Sequence, residues 1–149
     1  MTQIKRFNLR VYAIISNDQG EILISKERRG GFEFTKFPGG GVELGEGILD
    51  ALIRELREEL GAEIDTAEFF YTNDFFQASA FRPEDQIVSF YYRVSLKDVS
   101  VITMERKVPL GSLDHNDFEY AVWLKKSRLI IKELTFPMDQ DVLLKFLET

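Results

Sequence analysis

The apolar positions are most regular between residues 47 and 61, where they have the period of an α-helix. Gly47 is a permissible N-cap, Asp50 puts an acid in the first turn where the helix dipole favours it, and Gly61 stands just past the end. The pattern therefore predicts one amphipathic helix. Its apolar stripe consists of Leu49, Leu52, Ile53, Leu56 and Leu60.

Short strands are predicted before this helix. Residues 8–16 are apolar and β-branched and indicate a buried strand, and residues 21–25 indicate a returning strand. Because Gly20 supplies a turn between them, the two are predicted to form a hairpin. Residues 26–31 are charged and glycine-rich and predict a loop, and the alternating residues 32–37 predict a short strand that leads into a glycine-rich turn.

Extended and helical segments follow the helix. Residues 63–77 and 86–96 predict two strands that pair antiparallel. The order of elements, with no repeat or linker, predicts a single domain over residues 1–149 of the α/β (α+β) sandwich class. Loops are predicted over residues 78–85 and 109–118, a weak strand over 101–108 and an extended segment over 119–124. A short helix is predicted over residues 125–134 and a final helix from residue 137 onward.

Three carboxylates gather on a second face of the predicted helix. Glu55, Glu58 and Glu59 fall within an arc of roughly 100°. Each like-charged pair at this spacing costs a helix roughly 0.2–0.5 kcal/mol. One interpretation is a site for a hard divalent cation, which prefers oxygen ligands. The other is a solvated acidic face, and the cluster alone is compatible with both.

Composition narrows the classes of function. The 149 residues carry a net charge of −6 and no basic run, which argues against a non-specific binder of nucleic acids or anionic membranes. The chain has no cysteine and one histidine, His115, so thiolate chemistry and a clustered-histidine metal site are excluded within one chain. The N-terminus lacks a secretory signal pattern and no apolar segment approaches the roughly 20 residues of a membrane span, so we expect a cytoplasmic protein.

The residues around the acidic face resemble the signature of the Nudix hydrolases. The match covers 23 positions from Gly40 to Ala62, with Glu46 and the run RELREELG from Arg54 to Gly61 at the family's spacing. Only Ala62 departs mildly, because a larger aliphatic residue is usual there. The resemblance implies a Nudix-type α/β/α sandwich with a mixed β-sheet between helices, and a Mg²⁺-dependent hydrolase.

The resemblance also implies ligands for the metal. Glu55 and Glu59 match the usual metal ligands, and Glu58 matches a ligand or the general base. The backbone carbonyl of Gly39 matches a further ligand. The implied cofactor is Mg²⁺, for which Mn²⁺ can substitute.

Charged residues near the glutamates have two interpretations each. Arg54 and Glu46 look like the family's orienting ion pair, beside the reacting groups and the substrate, while a simple helix pair of Arg54 with Glu58 is the alternative. Arg28 and Arg29 can form a phosphate clamp, because guanidinium groups suit phosphate oxygens, or can be solvated loop charges.

The general base is left open by the sequence. Within the family it varies between a motif glutamate and an acid on a later loop. The later candidates are Asp114, Asp117 and Glu119, of which Glu119 is favoured because it starts the extended segment that contains Trp123. Ordinary loop charge is the other interpretation for each of them. His115 is interpreted either as a substrate contact or as an exposed side chain.

The sequence does not determine the substrate. We expect a nucleoside diphosphate linked to another moiety (a nucleotide sugar, an ADP-ribose-like compound or a modified nucleoside triphosphate) and neither a nucleic-acid nor a membrane partner. Phe32 and Phe34 favour sheet packing over a base-stacking platform. The alternative function is a non-catalytic Nudix-like sensor of a nucleotide or sugar phosphate, which the intact glutamate cluster disfavours. Family habit suggests a homodimer.

Overall fold

The computed structural model describes residues 2–149, which form seven β-strands, two α-helices and two 3₁₀ turns. The strands are β1 (Arg6–Ile15), β2 (Glu21–Arg29), β3 (Phe32–Lys36), β4 (Gly39–Gly41), β5 (Ile64–Thr72), β6 (Asp85–Leu96) and β7 (Phe118–Lys125). The helices are α1 (Ile48–Leu60) and α2 (Pro137–Leu147). The turns are Val99–Val101 and Arg128–Glu133. No helix within residues 2–149 is long and apolar enough to cross a membrane.

The strands form two sheets rather than one. A mixed sheet has the order β4-β1-β6-β5, with β1 and β6 parallel, and an antiparallel sheet has the order β3-β2-β7. The predicted hairpin of residues 8–16 with residues 21–25 is therefore wrong, since only a single bridge from Ser16 to Ile22 joins the two segments. Strand β1 pairs with β4 and β6, and β2 pairs with β3 and β7. The sequence could not show this, because an apolar pattern indicates that a strand is buried but not which strand it pairs with.

Strand β2 is longer than its polarity suggested. The predicted loop over residues 26–31 is strand as far as Arg29, and it turns into β3 at Gly30 and Gly31, whose φ values are 56° and 86°. Two glycines with positive φ suit a tight hairpin turn. The sequence did not predict this part of the strand because a charged residue, Glu27, occupies a buried position on the same face as Leu23 and Ser25.

The two helices cover opposite faces of the sheets. On β1, Val11, Ala13 and Ile15 pack toward α1, while Ile14 packs toward α2. On α1, Leu52 and Leu56 are buried in this core, as the apolar stripe predicted, although Leu49 is 39% exposed. This arrangement confirms the α/β/α sandwich.

Most other elements lie where the sequence placed them. Strands β5 and β6 pair antiparallel, and α1 begins after its Gly47 cap and ends before Gly61. The segment 101–108 is not a strand, because only a bridge from Lys107 to Glu119 is formed. The short helix predicted over residues 125–134 is a 3₁₀ turn.

Candidate active site

The glycine-rich strand β4 brings the backbone against α1. Gly40 pairs with Val11, and a Cβ on Gly40 would lie 2.6 Å from the carboxylate of Glu55. Gly39 has a φ of 141°, and a Cβ there would lie 2.1 Å from the carbonyl oxygen of Val11. Gly39 leaves no room for a side chain, and the glycine at position 40 lets the carboxylate of Glu55 rest directly on the backbone of β4.

Arg54 ties the loop before α1 to the glutamates on it. Its guanidinium donates to both oxygens of Glu46 at 2.7 and 2.9 Å, to the carbonyl of Gly41 at 2.9 Å, and to Glu55 and Glu58 at 3.1 and 3.2 Å. Hydrogen bonds from Arg54 lower the pKa of Glu46 to about 2. The structure thus contains both pairs that the sequence suggested, with Glu46 and with Glu58.

Two of the three clustered glutamates line a large cleft. Glu55 and Glu59 lie on its wall, and the cleft has a volume of about 1550 Å³. Glu58 does not line it, and the side chain of Glu58 is 43% exposed. The cleft is large enough for a nucleotide derivative.

A buried lysine beside the glutamates was missed by the sequence analysis. Lys36 Nζ lies 3.0 Å from a carboxylate oxygen of Glu27, and it donates to two backbone carbonyls, one of them that of Gly39 at 3.1 Å. Burial by itself would lower the pKa of Lys36, but the charges of Glu27 and Glu59 raise it above its usual value. The only signal in the sequence was that position 36 shares a face with the apolar Phe34.

Negative charge is crowded around Glu59. Burial raises its pKa to about 8, and the charges of Glu27, Glu55 and Glu119 act in the same direction, although Lys36 acts against them. A nearby cation would stabilise the ionised form of this carboxyl group.

The donor set fits a hard divalent cation. The carboxylates of Glu55 and Glu59 and the carbonyl of Gly39 are all oxygen donors on the same cleft. Within residues 2–149 no group of three or more acidic or histidine side chains is already gathered at metal-binding spacing. Cation binding therefore requires the carboxylates of Glu55 and Glu59 to turn toward each other, with Glu55 released from its hydrogen bond with Arg54.

Arg29 and Glu119 meet on the sheet of β2 and β7. Arg29 lines the cleft, and its Nη2 lies 3.2 Å from both Glu27 and Glu119. Glu119 is 8% exposed, and burial, followed by the charge of Glu27, raises its pKa. It faces a smaller cavity of about 240 Å³ that Glu59 also lines.

The remaining charged candidates lie away from both cavities. Arg28 points to the other side of its strand, with Nη1 3.8 Å from Asp114 and 3.9 Å from Asp117. Asp117 also accepts from the backbone N–H of Gly30 at 2.9 Å. His115 is exposed. The structure therefore brings Arg29 to the cleft, but not Arg28, Asp114, Asp117 or His115.

Aromatic side chains also line the cleft. Phe34, Phe81 and Phe136 line the cleft, with the ring of Phe34 centred 5.1 Å from that of Phe81 and 5.8 Å from that of Phe136. Phe34 is only 7% exposed, as sheet packing predicts, whereas Phe32 is 46% exposed and stacks on Phe34 outside the cleft.

A buried acid at the start of α2 completes the cleft and was also missed. Tyr91 donates its hydroxyl to Asp139 at 2.5 Å, and both residues line the cleft. Burial raises the pKa of Asp139 to about 6. Its place in the first turn of a helix, after Pro137, gave no sign that it faces inward.

Known proteins share this fold and motif. A chain from a study of MutT from Aliivibrio salmonicida and Vibrio cholerae is 27% identical, covers 96% of this chain and 97% of its own, and has a TM-score of 0.63. A NUDIX hydrolase from Nitrosomonas europaea is 21% identical, covers 94% and 88%, has a TM-score of 0.69 and shows the shared fold.

Curated relatives match over a shorter stretch. An RNA pyrophosphohydrolase from Halorhodospira halophila is 49% identical over 55 residues, which are 37% of this chain and 29% of that protein. The chain therefore spans less than a third of that relative. A family model described as the NUDIX domain matches residues 6–144. With a match that runs from the first strand into the last helix, the chain belongs to the Nudix family.

Proposed function

We propose that this protein hydrolyses a phosphoanhydride bond in a nucleoside diphosphate linked to another moiety, with Mg²⁺ as cofactor and Mn²⁺ as a substitute. The observation that carries the proposal is the placement of Glu55, Glu59 and the Gly39 carbonyl on one cleft, beside aromatic side chains. The similarity to proteins named RNA pyrophosphohydrolase supports the same class of reaction.

Glu55, Glu59 and the Gly39 carbonyl would hold the metal. Bound Mg²⁺ neutralises phosphate oxygens and lowers the pKa of a coordinated water. Arg54 orients Glu55 and Glu58 through its hydrogen bonds at 3.1 and 3.2 Å. By holding Glu58 in place, Arg54 would limit the reorganisation that general-base catalysis requires.

Glu58 is our choice for the general base. Its carboxylate is partly exposed and its one ion pair is with Arg54, so it can accept a proton from water. Glu119 is the second candidate, but it is buried and lies 3.2 Å from Arg29 and 3.9 Å from Lys107. These two cations favour its ionised form, but its carboxylate is less open to water than that of Glu58.

A nucleoside suits the cleft better than a small phosphate ester alone. Phe81 and Phe136 offer apolar surface on which a base can stack, and Arg29 lies on the same cleft. The cleft volume also accommodates a group on the far side of the diphosphate. We therefore propose a small-molecule substrate for a cytoplasmic enzyme.

The test is a phosphate-release screen with and without Mg²⁺. The panel comprises common and oxidised nucleoside triphosphates, ADP-ribose, nucleotide sugars, dinucleoside polyphosphates and an RNA oligonucleotide with a 5′-triphosphate. We expect metal-dependent release from one small-molecule class. Release from the RNA alone would contradict the small-molecule proposal and extend the likeness to the RNA pyrophosphohydrolases.

Glu58→Gln should keep the fold and lower turnover by about 10²-fold or more, because the base is removed while the shape is kept. Glu68→Gln is the matched control, since Glu68 is an exposed glutamate on β5 outside the cleft. A folded Glu58→Gln protein with wild-type turnover would contradict the assignment. Tight nucleotide binding by the wild type without release from any compound would favour the sensor.

A further inference from the structure

Arg10 lies on β1, lines the cleft and was given no role by the sequence. It pairs with Gly41 of β4 on one side and with Ser89 of β6 on the other. Its Nε donates to the hydroxyl of Tyr12 at 3.1 Å, and its guanidinium carbon lies 5.8 Å from the centre of that ring. Tyr12 therefore holds the guanidinium plane in a defined orientation.

The other cations of the cleft differ from Arg10 in being neutralised. Arg6 lies 2.5 Å from Asp85, Arg29 pairs with two glutamates and Lys36 pairs with one. No carboxylate of residues 2–149 lies within 4 Å of the Arg10 guanidinium, and its two terminal nitrogens make no hydrogen bond to these residues. Arg82 also lacks such a carboxylate, but it sits on an exposed loop.

A half-buried guanidinium with unused donors is costly unless an anion binds to it. Desolvation of a charge is offset only by a partner and by hydrogen bonds to its remaining donors. In Arg10 the N–H groups on both terminal nitrogens are unused, and the side chain lines the cleft. These donors are open to the cleft, so an anion that enters the cleft can bind to them.

Gly41 places these donors beside the acidic site. A Cβ on Gly41 would lie 3.3 Å from Nη1 of Arg10, so the absent side chain leaves room for the guanidinium. The carboxylate of Glu55 lies against the neighbouring residue of the same strand, Gly40. A diphosphate bound through a metal at Glu55 would consequently extend toward Arg10.

We propose that Arg10 binds the oxygens of the substrate's phosphate chain through its two terminal nitrogens. This inference rests on the proposed function, since it names a contact of the same site. The planar fork of arginine matches two phosphate oxygens, which a lysine at this position cannot do. Arg10 contributes to substrate affinity, while Glu55, Glu58 and Glu59 act on the bond that breaks.

Four proteins test the proposal: wild type, Arg10→Met, Arg10→Lys and Arg93→Met. Arg93 is the matched control, because it is half-buried on β6, stacks on Phe70 at 4.7 Å and does not line the cleft. The measurements are kcat and KM on the substrate found by the screen, and the Kd of inorganic pyrophosphate by calorimetry with and without Mg²⁺.

For Arg10→Met we expect KM and the pyrophosphate Kd to rise about 10- to 100-fold, with kcat changed less than about threefold. Arg10→Lys should recover only part of the affinity, because a point charge replaces the fork. Arg93→Met should leave both constants at wild-type values. Folding of each variant is checked by circular dichroism and thermal unfolding.

The outcomes separate the two proposals. Wild-type pyrophosphate affinity in folded Arg10→Met overturns the role of Arg10 whether or not hydrolysis is found. Absence of hydrolysis by wild type, with pyrophosphate binding lost in Arg10→Met, overturns the proposed function alone. If Arg10→Met does not fold, Arg10→Lys and Tyr12→Phe decide: unchanged KM and Kd in both overturn the role of Arg10, and raised values support it.

Discussion

Lys36 and Asp139 are buried ionisable side chains that no pattern in the sequence marked as buried. Lys36 is held by Glu27, and Asp139 accepts a hydrogen bond from Tyr91. The two differ in charge balance, because Lys36 has a carboxylate partner whereas Asp139 has a neutral phenol. Ionised Asp139 is therefore the less stabilised of the two, and its effect can be measured through pH.

The stability of the protein should fall with rising pH through the titration of Asp139. Its pKa is about 6 in the folded chain, against about 3.9 for an unfolded aspartate. Between these values the folded state keeps a proton that the unfolded state releases, so the free energy of unfolding declines as pH rises from about 4 to about 6. Above that range the contribution is constant.

Asp139→Asn keeps an acceptor oxygen for Tyr91 and removes the charge. We expect this change to remove the contribution of Asp139 to the decline, while Glu59, whose pKa is also raised by burial, keeps its own. The free energy of unfolding near neutral pH should rise by on the order of 1–3 kcal/mol. Urea unfolding across this pH range measures both effects. Asp141→Asn, at an exposed position of the same helix, is the control. An unchanged pH profile in Asp139→Asn would contradict the assignment.

Strand β4 and helix α1 form the unit that carries the acidic site. The strand is three glycines long, and it connects β1 to α1 through backbone contacts that no side chain would allow. The two glycines at its start serve different purposes. Gly39 allows the pairing of two backbones, whereas Gly40 makes room for the carboxylate of Glu55.

Alanine substitutions should separate these purposes. Gly39→Ala meets the Val11 carbonyl at a φ of 141°, so we expect a loss of about 2–5 kcal/mol of unfolding free energy. Gly40→Ala meets only the end of the Glu55 side chain, which can rotate away. It should change stability by less than about 1 kcal/mol and weaken Mn²⁺ binding about tenfold, because Glu55 is displaced.

Urea unfolding and the electron paramagnetic resonance of bound Mn²⁺ measure the two effects. Each glycine variant is the control for the other. An equal loss of stability in both variants would contradict this division, because it would show that the glycine at position 40 is needed for folding.

At the scale of the molecule, negative charge is concentrated where the two sheets meet α1. The net charge is −6, and Glu27, Glu55, Glu59 and Glu119 act on each other across this region. Lys36 and Arg29 offset part of the repulsion. A divalent cation bound here would therefore stabilise the folded chain.

Saturating Mg²⁺ should raise the Tm by about 5 °C or more, since a ligand at 100 times its Kd adds about 2.7 kcal/mol. Glu55→Gln and Glu59→Gln should lose most of this shift, and Glu68→Gln should keep it. NaCl at matched ionic strength controls for screening. An equal shift with NaCl, or in Glu55→Gln, would contradict a specific site.

Local pattern was sufficient for the elements and the motif. The ends of α1 could be predicted because Gly47, Asp50 and Gly61 act within one turn of the helix. The motif glutamates could be predicted to share a face because helix geometry sets their spacing. The strands were found wherever their residues alternate or are continuously apolar.

The amino-acid sequence by itself determined the family motif, the helix that carries it and the presence of most strands, since these depend on residues a few positions apart. Tertiary structure alone decided that β1 and β2 lie in separate sheets, that Lys36 and Asp139 are buried, and that Arg10 faces the cleft without a carboxylate. Strand order brings together residues that are far apart along the chain, and a period of two or 3.6 residues reports which face is buried but not what it meets.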